Sequence, residues 1–433
     1  MKGRAVPAGR LVRLARFGGL AGGIAARAAV SGVRAAAAGE KVTAAGLLLT
    51  PGNILKVTEE LSRLRGAAMK LGQLISMDTG DFLPPELTAI MARLRADAQP
   101  MPPAQLKRVL ERAWGRGWLA RFERFDVRPL AAASIGQVHR ARTKDGRDLA
   151  VKVQYPGVRQ SIDSDVDNVA TLMRLSGLVP ASLEVAPLMV EAKRQLHEEA
   201  DYGREGACLA RFGALLAGAP GLVVPGLHAD LSTPDVLAMD FVAGAPVEAM
   251  THATQDVRDS IMDRLVGLSL RELFEFRLMQ TDPNFANYRY DAAGDRLVLL
   301  DFGATRDLPA ALGEAYRTLL RAGLSGDREG AARAAVEIGL FGPDTAPQQQ
   351  ARVIDMFETA MAPMRAAGPM AFDAAGLTDG LKDEGLKIAA DRDFWHVPPA
   401  DTLFIQRKLG GLFLLGARLK SRVDVKALMA PWL

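Results

Sequence analysis

Two short stretches constrain this chain more than any other part of it. In Gln280-Thr281-Asp282-Pro283-Asn284-Phe285-Ala286-Asn287 an aspartate is followed five residues later by an asparagine. In Leu297-Val298-Leu299-Leu300-Asp301-Phe302-Gly303 an apolar run delivers a second aspartate. Asn287 and Asp301 offer hard oxygen donors of the kind Mg2+ takes while it keeps water and phosphate oxygens at its other positions. Asp282 is placed to orient or deprotonate a nucleophile. An isolated Asp-Phe-Gly is a common accident, but this ordered pair at this interval is not. It demands a fold that brings a loop and a strand end together around a metal and a phosphate.

Three weaker elements precede that pair. Leu149-Ala150-Val151-Lys152 reads as a strand whose lysine, flanked by Val151 and Val153, can pair with α- and β-phosphates while a helix carboxylate holds it. The acidic run His197-Glu198-Glu199-Ala200-Asp201-Tyr202-Gly203-Arg204-Glu205 reads as helix. There Glu198, Asp201 and Glu205 share a face and Glu199 lies about 100° round; Glu205 is the expected partner of Lys152. Upstream, Ala131-Ala132-Ala133-Ser134-Ile135-Gly136 lies between two strand patterns, and small residues there let backbone amides approach phosphate oxygens. Ala131, Ala132, Ala133 and Ser134 are therefore expected at the nucleotide. In this order the elements are the parts of a protein-kinase-like site for Mg2+ and ATP.

The rest of the chain organises around them. Leu55, Leu61, Leu64, Ala68, Leu71 and Leu74 recur at helical steps, and Pro100, Pro102 and Pro103 mark a boundary. A β-hairpin is predicted from Ile135 to Gln154 around Lys144-Asp145-Gly146, long helices over 162–177 and 183–216, and strands at 236–240, 288–291 and 297–300. Residues 239–244 read as an interlobe hinge, with Met239 and Phe241 expected beside the nucleotide. A strand-rich part followed by a helix-rich part indicates an α+β, bilobal architecture. The domains expected are a basic segment over 1–40, a helical extension over 41–103, an N-lobe over 104–243 and a helical C-lobe over 244–433.

Charge is uneven. The 433 residues carry a net +4, yet residues 1–40 hold seven Lys/Arg against Glu40 alone, so the remainder is slightly negative. That argues against a nucleic-acid surface and for a local anionic partner, with a membrane lipid surface as the candidate. Arg27 and Arg34 interrupt the Gly/Ala-rich run 17–38, which reads as an interfacial or helix-packing segment. Its Gly18, Gly19, Gly22 and Gly23 make homodimer pairing through it plausible. The single Cys208 excludes an internal disulfide and a cysteine metal cluster.

Together with Lys70-Leu71-Gly72-Gln73, these motifs resemble the UbiB/AarF family of atypical kinases, especially the branch of coenzyme Q kinases. The signatures are a KxGQ motif (Lys70, Gln73), an alanine-rich loop (Ala131, Ala132, Ala133), a VAVK-type lysine (Lys152), an ExD pair (Glu199, Asp201), a QTDPN element (Asp282, Asn287) and Asp301 of DFG. Gln406-Arg407-Lys408-Leu409-Gly410-Gly411 also looks family-like. The resemblance implies a bilobal kinase-like fold with an added KxGQ extension over the nucleotide site, where Lys70 and Gln73 meet Glu199 and Asp201 as a cap against peptide substrates.

The same resemblance implies an ATPase or a small-molecule or lipid kinase supporting ubiquinone biosynthesis, with ATP, Mg2+, prenylated quinone precursors and ubiquinone-pathway enzymes as ligands and partners. The alternatives are a nucleotide-gated lipid-binding scaffold and a true protein kinase, the latter disfavoured by Lys70 and the alanine loop. Typical bacterial members end in transmembrane helices, and here the apolar run 412–415 is too short to span. A bacterial form held at the cytoplasmic side of the inner membrane by its N-terminus is expected, or the matrix face if the source is eukaryotic.

Overall fold

Pro102 and Pro103 set the start of the first helix whose full length is described. Proline is tolerated at a first helical position, where the missing N–H would have had no partner. The helix α1 (Pro103–Trp114) buries Gln105, Leu106, Val109, Leu110 and Trp114 at helical spacing and ends at Gly115, whose φ of +84° only glycine adopts readily. This is a computed structural model; it describes residues 67–68, 100–133, 135–175, 185–282, 284–342, 345–374, 380 and 398–433. Ala67 and Ala68 are helical and buried.

The described residues up to Gly206, with Leu227–Phe241, form one compact unit, and Ala207–Gly226 with Val242–Leu433 form a second. The first holds strands β1 (Phe122–Phe125), β2 (Ala131–Ala132), β3 (Gly136–Thr143) and β4 (Asp148–Gln154), then helices α2 (Val158–Leu175) and α3 (Val185–Glu199). Helix α4 (Tyr202–Leu215) starts there, and its residues from Ala207 onward belong to the second unit with β5 (Leu222–Val223). Strand β6 (Val236–Asp240) returns to the first. The sheet order is β1-β3-β4-β6, antiparallel throughout, with β2 added to β3.

The β3–β4 turn closes because Gly146 takes φ +92°, a conformation costly for other residues. Alternation then sorts the hairpin. Ala141, Leu149, Val151 and Val153 turn with Val236 and Ala238 into a core shared with Leu106, Leu110 and Trp114. The Trp114 indole donates to the Leu231 carbonyl at 2.9 Å, so this large apolar ring leaves no buried donor unmet.

One expectation is corrected. The single helix over 183–216 is two, α3 and α4, broken at Ala200-Asp201. Asp201 accepts from the Arg204 amide at 3.1 Å and starts a new helix, so Glu198, Asp201 and Glu205 do not share one continuous helical face.

The second unit contains β7 (Ala245–Pro246), α5 (Gln255–Arg271), β8 (Leu278–Gln280), β9 (Tyr288–Asp291), β10 (Arg296–Leu299), β11 (Thr305–Asp307), α6 (Ala310–Ser325), α7 (Arg328–Glu337), α8 (Pro347–Arg365), β12 (Met370–Ala371), α9 (Ala400–Leu419), β13 (Arg422–Val423) and α10 (Val425–Met429). Its larger sheet runs β5-β10-β9-β7, with β10 antiparallel to β9, and β8 pairs with β11. Leu319, Ala334, Ala335, Ile338, Ile354 and Ile405 join α6, α7, α8 and α9 in one core, the alanines allowing close helix approach. Helix α5 passes into a π-turn, Glu272–Phe276, that places Glu272 inside the protein beneath β8.

Candidate functional site

Lys152 sits on the central strand β4, and its ammonium donates to Glu205 Oε1 at 2.6 Å. Both side chains are buried, at 9% and 2% exposure, and the ammonium lies 5.7 Å from the centre of the Tyr202 ring. The Gln154 amide donates to the Ala200 carbonyl at 2.9 Å, fastening the same strand to the break between α3 and α4. That break aims Glu205 at the lysine. Glu199 ends α3 and Asp201 begins the next helix.

Residues paired directly across antiparallel strands share a face. Val138 pairs with Lys152, Lys152 with Leu237, and Ala150 with Met239, so the lysine projects from a face of small and apolar side chains. Met239 is on that face and buried. Phe241 follows with its amide on the Asp148 carbonyl at 2.9 Å and the Arg140 guanidinium 4.1 Å over its ring. After Phe241 the chain enters the second unit.

The alanine run forms a tight return. Ala131 pairs with Val138 and Ala132 with Gln137, and the Ala133 amide donates to the Gly136 carbonyl at 2.8 Å. Gly136 is required, since a Cβ there would lie 2.6 Å from the Val153 carbonyl oxygen and 2.8 Å from the Tyr202 hydroxyl. Ser134, Lys70, Gln73 and residues 1–40 lie outside the described residues.

In the second unit Asn287 donates its amide Nδ2 to Asp282 Oδ2 at 3.0 Å, which leaves its Oδ1 as the atom to face a ligand. The turn between them is capped by Asn284, whose side chain accepts from the Ala286 amide at 3.2 Å. Register brings in the third residue: Leu299 pairs with Tyr288, and the Leu300 amide donates to the Asn287 carbonyl at 3.0 Å, so Asp301 emerges beside Asn287. Asp301 Oδ1 accepts from the Gly303 amide at 3.0 Å. Phe302 is buried with its ring centre 4.9 Å from that of Phe212, on the helix that also carries Glu205.

The matched family is the ABC1 atypical kinase-like domain, over residues 93–335. The yeast protein named atypical kinase COQ8, mitochondrial (Saccharomyces cerevisiae) is 36% identical over 98% of this chain and 84% of its own. The rat protein named atypical kinase COQ8B, mitochondrial (Rattus norvegicus) is 37% identical over 98% of this chain and 80% of its own. This chain belongs to the ABC1 atypical kinase family. Among solved structures, Rv3197 of Mycobacterium tuberculosis in its erythromycin complex superposes with a TM-score of 0.63 at 25% identity, over 86% of this chain and 93% of that one. The ABC1 domain and this neighbour establish the α+β, bilobal protein-kinase-like fold.

The ABC1 fold implies a nucleotide and a magnesium ion, and the donors present fit them. Asn287 Oδ1 and the Asp301 carboxylate are hard oxygens held by backbone register. Among the described residues no three His, Cys, Asp or Glu gather as a metal site, so an ion held by these two donors would complete its shell with phosphate and water oxygens. Among the described residues, too, no helix is long and apolar enough to cross a membrane.

A third layer lies beneath the Asp282 loop, built on a lysine of the family-like stretch 406–411 to which the sequence assigned no role. Lys408 on α9 is 1% exposed and donates to the Gln280 carbonyl at 2.9 Å, to Gln280 Oε1 at 3.1 Å and to the Tyr288 hydroxyl at 2.8 Å. Glu272 lies 3.5 Å away and also accepts from the Gln280 amide at 3.2 Å. Burial alone would lower the Lys408 pKa, but the Glu272 charge and the Tyr288 oxygen more than offset it, and the ammonium is held above its ordinary value. Burial pushes the Glu272 carboxyl and the Tyr288 phenol upward. The signal was present: Ile405, Lys408, Leu412 and Leu415 fall on one helical stripe, and a lysine on an apolar stripe needs buried acceptors.

Proposed function

We propose that this chain is an Mg·ATP-dependent atypical kinase or ATPase that supports ubiquinone biosynthesis at a membrane. The observation that supports it is the Asp282–Asn287 hydrogen bond set beside Asp301 by the β9–β10 register. The 36% identity to the yeast atypical kinase COQ8 agrees with it. Each residue set has the chemistry of an Mg·ATP contact. Lys152, oriented by Glu205, pairs with the α- and β-phosphates, and Val138, Ala150 and Met239 border the nucleotide. The alanine loop covers the phosphates through backbone amides.

Asn287 and Asp301 would hold a magnesium ion, which would supply positive charge against the negative charge that develops on the leaving group. Asp282 orients a hydroxyl or a water and takes its proton as the new O–P bond forms and the bond from Pγ to the ADP oxygen breaks. Lys70 and Gln73, with Glu199 and Asp201, close the site to peptides, and residues 1–40 bind anionic lipid.

ATP turnover is measured with and without cardiolipin-containing liposomes and a prenylated phenol, for the wild type and Asp301→Asn. The wild type turns over and responds to lipid, whereas removing a metal-holding carboxylate lowers turnover by about 100-fold or more. Equal turnover by Asp301→Asn overturns the metal assignment. Nucleotide-dependent lipid binding without turnover in the wild type identifies a scaffold instead.

A further inference from the structure

The Asp282 loop carries no cation: Asp282-Pro283-Asn284-Phe285-Ala286-Asn287 offers oxygens and one amide, while the group such a site transfers is strongly anionic. Helix α9 brings a cation to it. The Arg407 guanidinium lies 3.7 Å from Asp282 Oδ1, with only 16% of its side chain exposed. That separation is too long for a hydrogen bond, and no hydrogen bond from the guanidinium to another described residue accompanies it. An arginine serving only as the partner of Asp282 would close on it as a two-pronged, hydrogen-bonded pair. Arg407 instead stands off, with its planar fork of donors unspent.

Its neighbour explains how it is held there. Lys408 is locked to Gln280 and Tyr288, which flank the loop on either side, at 2.8 to 3.1 Å. The backbone carrying Arg407 is therefore fixed relative to Asp282. A part-buried guanidinium preset beside the acceptor position, and not consumed by the protein, stabilises charge that grows during transfer with little reorganisation.

We infer that Arg407 contacts the oxygens of the phosphoryl group in flight, supplying from the C-terminal helix the positive charge that the Asp282 loop lacks. This rests on the reading of Asp282, Asn287 and Asp301 as the Mg·ATP-handling set. The group leaves ADP and joins a hydroxyl or water oxygen whose proton passes to Asp282; Arg407 forms and breaks no covalent bond.

Calorimetry with Mg·ADP, alone and with aluminium fluoride as a mimic of the transferring group, tests it independently of any acceptor. Arg407→Gln and Arg407→Lys are compared with the wild type after their melting temperatures are matched. In Arg407→Gln, Mg·ADP binds as in the wild type while the tightening by aluminium fluoride falls at least about 10-fold, and ATP turnover drops about 100-fold with little change in KM. Arg407→Lys retains part of the effect, and guanidinium ion added to Arg407→Ala restores part of the turnover. Wild-type tightening in Arg407→Gln overturns the inference, as does an equal loss of Mg·ADP binding with and without the fluoride. Asp301→Asn run alongside separates the two levels. If it loses Mg·ADP binding while the arginine variants match the wild type, only the Arg407 role fails. If it too binds as the wild type, the metal reading fails and takes this inference with it.

Discussion

Lys408 Nζ lies 2.8 Å from the Tyr288 hydroxyl, although 120 residues separate them in the chain. Through this contact and those to Gln280 the C-terminal helix underpins the loop that carries Asp282 and Asn287. The ammonium is also the counter-charge of Glu272, itself wholly buried.

Lys408→Met should therefore be strongly destabilising. It leaves the Glu272 carboxyl and the Gln280 carbonyl inside the protein without their donor, and breaking such a pair costs about 3–5 kcal/mol. Urea unfolding measures it. Adding Glu272→Gln to Lys408→Met should recover part of the loss, because the surviving group is then neutral. If the double variant is no more stable than the single one, the two residues are not coupled.

The Lys152–Glu205 pair invites the opposite comparison. Replacing both members, as in Lys152→Met with Glu205→Leu, removes two buried charges of similar bulk, a change that is often neutral or stabilising by about 1–4 kcal/mol. The double variant should melt at or above the wild type and fail to turn over ATP. A large drop in melting temperature would show that the pair is structural.

How much of this was legible beforehand depended on the range of the interaction. The Asp282–Asn287 spacing, the Asp-Gly turn of the β3–β4 hairpin and the strand leading to Asp301 are local, and short-range patterns carry them. The break before Tyr202 was missed because Ala200 and its neighbours suit a helix, and only the capping role of Asp201, three residues ahead of Arg204, marks a new start. The Lys408 network was missed for another reason. Its acceptors come from Glu272, Gln280 and Tyr288, and the bond to the Gln280 carbonyl spans 128 residues, beyond any local pattern. Arg407 acquires meaning only once Lys408 has placed it.

Gly136→Ala should destabilise the first unit. The new methyl meets the Val153 carbonyl at 2.6 Å, and backbone cannot swing aside as a long side chain can. Overpacking of this kind costs about 1–3 kcal/mol. Adding Tyr202→Phe removes the second obstruction, the hydroxyl at 2.8 Å, and should return a minority of that stability. Full recovery in the double variant would mean that the backbone contact is relieved by other movement.

Stability should also fall on mild acidification, through His139. Its ring is buried, stacked 5.4 Å from Phe125, with Nδ1 at 2.7 Å from the Asp126 carbonyl and Nε2 at 2.8 Å from Gln137 Nε2. The Gln137 Oε1 already accepts from the Met101 amide at 2.8 Å, so its NH2 donates to the ring, and the histidine is neutral with its proton on Nδ1. Burial lowers its pKa, and the Asp126 carbonyl and carboxylate only partly oppose that. The unfolded chain thus binds this proton more readily than the folded one, so stability rises with pH through the window between the lowered folded value and the unfolded value of about 6.5, and is lost as pH drops through it. Thermal melting between pH 7.5 and 5 should show a decline that is shallower in His139→Phe, a variant less stable than the wild type at pH 7.5 because Gln137 loses its acceptor. An equal slope in both proteins would assign the acid sensitivity to other groups.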